Sequence, residues 1–198
     1  MMCYLDKCDY IDKNYYGVSH FDDLQNALNF LDDGDELVRI EMIEACYACE
    51  QDVIHEKLFR MLESTAGLEK GNILLTLSYV FQDDKEKIIG YLKKNINSLD
   101  MYEKLDSCAG LIVIGEVNYL IVFLDFFKSD DYTIRCATAN LLSEFIQNDI
   151  LVGDEILKVK DYVISIKERE DTRAVKSSIE NLLMVIDRVL LELTAVEK

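Results

Sequence analysis

The residues best suited to chemistry in this 198-residue chain are two histidines and six cysteines, and their spacing decides against most of what they could do. His55-Glu56 begins like the paired-imidazole motif of zinc proteases. The position that should carry the second imidazole is Phe59, so one helix face cannot grip a metal between two histidines. His20 stands in no comparable constellation. Cys46 and Cys49 form a C-x-x-C pair, to which Cys3 and Cys8 could notionally add two zinc ligands. Both members fall within an expected helix, whereas a redox pair belongs at a helix start that stabilises its thiolate. The expectation is burial as small hydrophobes. The acidic turn at 32–36 lacks the spacing and glutamate of a calcium loop, and no phosphate-cradling glycine loop occurs. No catalytic residue, metal site or cofactor is therefore expected.

Charge is more informative than any motif. The formal net charge is −17 and is unevenly spread. Residues 1–56 hold fourteen carboxylates against Lys7, Lys13 and Arg39, a balance of −11, and the remainder balances at −6. Such a field repels nucleic acid and steers a basic protein toward the N-terminal end. The same charge also serves plain solubility. A secretory signal needs an apolar core where this chain has Asp6, Lys7 and Asp9, so a cytoplasmic location with reduced thiols is expected. Residues 108–127 approach the apolar length of a membrane span, but Glu116, Asn118 and Asp125 interrupt them. Two buried helices meeting near Glu116 fit better, and no membrane partner is expected.

The elements that must position these groups read as helices. The chain has no proline to break them. Glycines such as Gly34, Gly67 and Gly153 fall at breaks in the apolar pattern. The nonapeptide beginning Ile134-Arg135-Cys136-Ala137 recurs 41 residues later as Val175-Lys176-Ser177-Ser178, with a third copy at Val38-Arg39 and a weaker one at Leu105-Asp106. Each copy follows an amphipathic run and an acidic turn, whose Asp or Ser can cap the next helix. The unit is helix, turn, helix. First helices are predicted near 20–32, 52–63, 84–96, 117–128 and 154–168, with partners near 35–50, 68–82, 99–115, 131–148 and 171–195. Stacking such pairs yields one continuous core, which no single pair can form. Tyr10, Tyr15 and Tyr16 precede the first pair and suit a cap over its exposed end.

Residues 119–145 resemble a HEAT repeat: an apolar helix, an Asp-containing turn, an Ile-Arg pair, small residues, then Leu. The resemblance maps the family's turn aspartate and arginine onto Asp130 or Asp131 with Arg135, and onto Asp33 with Arg39, as the pair holding one repeat to the next. Lys176 replaces the arginine in the last copy and Asp106 in the third, while the stretch around Leu68–Thr76 barely fits. Family prolines are absent, and Tyr47 and Ser143 stand at its glycine position. The fold so implied is an all-α, right-handed α-α superhelix, a HEAT-like solenoid of about five hairpins, as one domain over 1–198 with 1–18 as capping segment. In such solenoids second-helix residues facing away from the core line the concave surface. That makes Glu41, Glu44, Tyr47, Glu103, Asp106, Glu144 and Glu180 the contact candidates, with Asp35 and Glu36 at the turn edge. The function expected is non-enzymatic binding of a basic protein, most concretely a nuclease-like toxin, as small acidic immunity proteins do. A scaffold subunit and a chromophore-lyase-like protein are the alternatives. A DNA glycosylase of this fold would need a cationic groove that the charge contradicts.

Overall fold

A computed structural model describes residues 4–81 and 85–196, and every regular element among them is helical. The chain, read from its repeats as one domain, gathers its contacts into two units, Met1–Ile114 and Gly115–Lys198. The first contains α1 (Tyr4–Asn14), α2 (Leu24–Leu31), α3 (Glu36–Ala45), α4 (Asp52–Met61), α5 (Gly67–Val80), α6 (Glu86–Asn95) and α7 (Met101–Val113). The second contains α8 (Leu120–Leu124), α9 (Tyr132–Gln147), α10 (Asp154–Lys167) and α11 (Arg173–Val196).

Asp side chains start α3, α7 and α9 as the acidic turns suggest. Asp35 accepts from the Leu37 N–H, Asp100 from those of Tyr102 and Glu103, and Asp131 from that of Thr133. Each satisfies a donor that the helix itself cannot, worth about 1 kcal/mol. In the first unit α1 packs on α3, α3 on α5 and α5 on α7, while α2, α4 and α6 serve as hairpin partners of α3, α5 and α7. Residues 1–18, expected as a cap, are mostly α1. Its Ile11 is buried, and Tyr15 behind it is wedged edge-on against Phe21 at 4.9 Å and Phe30 at 6.2 Å.

The second unit shows where periodicity alone falls short. Residues 117–128, expected as one helix, wind as 3₁₀ turns (Val117–Tyr119 and Asp125–Lys128) on either side of the short α8. Here Phe123, Leu124, Phe126 and Phe127 are all buried. Three residues per turn brings positions i and i+3 into line, and the rings of Phe123 and Phe126 meet at 5.9 Å. An α-helix would also keep these four positions on one broad face, so apolar spacing alone does not separate the two. After this turn α9 packs on α11, against which α10 also lies.

Successive hairpins are tied by one device used three times. Arg39 of α3 donates from Nε and Nη2 to the two carboxylate oxygens of Glu69 on α5, both at 2.8 Å, while its Nη1 holds the Asp33 carbonyl at 2.8 Å. Arg135 of α9 repeats this with Glu170 at 2.9 and 3.1 Å and with the Ser129 carbonyl at 2.7 Å. Lys70 of α5 gives a single-point version with Glu103 of α7 at 3.5 Å. The resemblance places the acid in the turn. In the structure the turn supplies only a carbonyl, the carboxylate comes from the following hairpin, and the Asp33 side chain pairs instead with Lys7 at 2.6 Å.

Candidate protein-binding face

The groups that could have done chemistry are packed away. His55 is buried on α4, its Nε2 2.6 Å from the Cys49 carbonyl and its ring edge-on to Phe81. Cys46 and Cys49 close the end of α3, and both are buried, which pushes their thiols above the ordinary range. A thiol held in that form is neither nucleophile nor metal ligand. Cys8 is half-buried beside α3, pushed up by burial and further by Glu41, Asp35 and Asp9, and Cys3 lies outside the described residues. Among the described residues no group of three His, Cys, Asp or Glu side chains could hold a metal ion, and no helix is long and apolar enough to cross a membrane.

What the first unit does present is a run of carboxylates along α3. Asp35 and Glu36 are exposed at its start, Glu41 is half-exposed in its middle and Glu44 is exposed near its end. Glu41 lies toward α1, where burial and then the Asp12 charge raise its carboxyl above the usual range. Tyr47 continues the row, 39 % exposed, with its ring 5.5 Å from Tyr16 and 6.3 Å from Tyr79. Gly17, at φ +72°, turns the chain after α1, and a side chain there would meet the Tyr47 hydroxyl at 3.4 Å. Tyr16, Tyr47 and Tyr79 therefore form one aromatic row, and Asp12 of α1 stands near Glu41 of α3.

The remaining expected contact residues separate into other roles. Glu103 is buried and accepts from the Gly67 N–H at 2.9 Å and the Ser98 hydroxyl at 2.9 Å. Burial alone would raise its carboxyl, but these donors and Lys70 outweigh it and hold it below the usual range. Asp106 is also buried, against Gly71, and burial, with Glu44 and Asp100 adding repulsion, pushes its carboxyl to about 8. Neither side chain can line an exposed surface, which corrects their place among the contact candidates. Glu144 of α9 and Glu180 of α11 are exposed in the second unit, the latter 3.5 Å from Lys167. Asp35, Glu36, Glu41, Glu44 and Tyr47 thus lie on or beside the single helix α3.

Sequence reasoning missed the glutamate half of each clamp. The signal lay in the stretch that barely fits the repeat: Leu68-Glu69-Lys70 and Tyr102-Glu103-Lys104 open α5 and α7 alike. Glu there receives the previous hairpin's cation, and Lys70 supplies the next one. No protein-family model, curated protein or solved structure matches the chain.

Proposed function

We propose that this chain is a non-enzymatic, HEAT-like repeat protein that binds a basic protein, most concretely inhibiting a nuclease-like toxin from a cytoplasmic location. The succession α1, α3, α5, α7 with its outer partners, tied by a recurring cation–glutamate clamp, supports the repeat reading. The observation that carries the binding role is the α3 row itself. Burial raises the Glu41 carboxyl first, and the nearby Asp12 of α1 adds like-charge repulsion that a cationic surface would relieve. Beside it stand half-exposed tyrosines, a residue type that anchors interfaces.

The test is affinity measured against salt and against charge reversal. A panel of purified basic proteins, nucleases included, is titrated into the immobilised chain. Binding is expected to weaken steeply between about 50 and 300 mM salt and to be lost in E36K/E41K/E44K while the melting temperature holds. Asp35 is left in place because it caps α3. A partner bound equally by wild type and triple variant removes the α3 face from the proposal, and binding that ignores salt favours a passive scaffold.

A further inference from the structure

Away from the α3 carboxylates, a cleft of about 390 Å³ opens between α4 and α6, lined by Phe59, Arg60, Tyr91, Lys87 and Glu56. Its wall is aromatic. Phe59 lies 5.7 Å from Tyr91 and 5.3 Å from Phe81, measured between ring centroids. Over these rings sits the Lys87 ammonium, 4.7 Å from the Phe81 centroid and 5.1 Å from that of Phe59. Arg60, exposed at the rim, makes one long bond from Nε to the Glu56 carbonyl at 3.3 Å.

The two cations of this cleft differ from their neighbours. Arg39 and Lys57, which border the adjacent depression, are each held by an acid, Glu69 and Asp32 respectively. Lys87 and Arg60 meet no carboxylate among the described residues, in a chain where acids outnumber bases 38 to 21. Lys87 is held by ring faces instead, an attraction that places the charge without consuming its N–H donors. Stacking surface and unspent positive charge in one concavity match a ligand that is flat and apolar on its faces and negative at one end.

We propose that the α4–α6 cleft binds a small aromatic anion, its ring stacked on Phe59 and Tyr91 and its carboxylate or phosphate held by Arg60 and Lys87. Arg60 supplies a planar fork suited to either anion and Lys87 a point charge. Glu56 opposes the same anion and sets a ceiling on affinity. This site is independent of the partner-binding reading, because none of its residues belongs to the α3 face.

The experiment is calorimetric titration of the whole chain with phenyl phosphate and with benzoate, alongside inorganic phosphate and benzyl alcohol, which each carry half of the chemistry. Saturable binding of at least one aromatic anion with Kd below about 1 mM is expected, and at least tenfold weaker binding of both controls. R60Q/K87Q should weaken the aromatic anion about tenfold or more, and E56Q should tighten it a few-fold. The substituted residues are exposed, and a thermal melt checks that each variant folds. The relative affinity of phosphate and carboxylate identifies the ligand's anionic group. The proposal is overturned if neither aromatic anion saturates, if inorganic phosphate binds as well as phenyl phosphate, or if R60Q/K87Q binds like wild type.

Discussion

Replacing Arg39 by Met keeps the side-chain stem and removes only the guanidinium, which makes it a direct measure of the inter-hairpin clamp. Three bonds vanish: two to the Glu69 carboxylate and one to the Asp33 carbonyl, all at 2.8 Å. Arg39 is 23 % exposed along its side chain, so each charged bond is discounted to about 1 kcal/mol and the carbonyl bond to somewhat less. The Glu69 side chain is only 7 % exposed and is left without its counter-charge, which adds roughly another 1 kcal/mol. The expected loss is therefore about 3 kcal/mol, or a melting shift on the order of 10 °C for a unit of this size. Urea unfolding followed by far-UV circular dichroism reads it. Glu69→Leu alone should cost a similar amount, and the double variant should recover most of it, because an apolar pair replaces a stranded charge. The double-mutant cycle then gives a coupling above about 1 kcal/mol. A loss under about 0.5 kcal/mol for Arg39→Met, or additive single variants, would refute the clamp as the tie between hairpins.

Glycines inside helices give a paired prediction. A methyl group on Gly71 would meet the Asp106 carboxylate and sit 3.1 Å from the Tyr102 carbonyl, so Gly71→Ala should destabilise despite the better helix former. Gly90 has nothing within 4 Å, and Gly90→Ala should stabilise by about 1 kcal/mol; both changes are read by thermal melts. The Ser107 hydroxyl is buried with no hydrogen-bond partner among the described residues, so Ser107→Ala should be neutral to stabilising by about 1 kcal/mol in urea titrations. Asp106 predicts a pH dependence. Its folded-state pKa of about 8 exceeds the unfolded value near 4, so its contribution is complete below about pH 4 and is lost as pH rises to about 8. Glu103 and Glu170, held low, act in the opposite sense and lose their contribution on acidification. Asp106→Asn should therefore flatten the stability profile between about pH 4 and pH 8 and leave the more acidic side intact. Equal slopes over that window in variant and wild type would contradict the buried, raised carboxyl.

Helix positions were legible because the information is local. Apolar spacing and acidic caps fall within one turn of the residues they specify, and α3, α7 and α9 start within a residue or two of where Asp35, Asp100 and Asp131 place them. The broken helix at 117–128 was not legible, since a run of adjacent apolar side chains satisfies an α-helical and a 3₁₀ reading alike until its buried neighbours are known. The candidate face was hidden for a related reason. Glu41, Glu44, Glu103 and Asp106 all sit on second helices at positions that periodicity assigns to a free surface. Which of them remains exposed is set by what the adjacent hairpin sends across: Lys70 and the Gly67 N–H claim Glu103, and Gly71, lacking a side chain, lets α7 come close enough to bury Asp106. The separations from cation to acid are 30, 33 and 35 residues for Arg39–Glu69, Lys70–Glu103 and Arg135–Glu170, because the intervening helices differ in length. A partner whose distance varies with helix length leaves no fixed period to detect. Glu41 and Glu44 take no part in the three clamps, so their reversal discriminates a binding surface from a structural one.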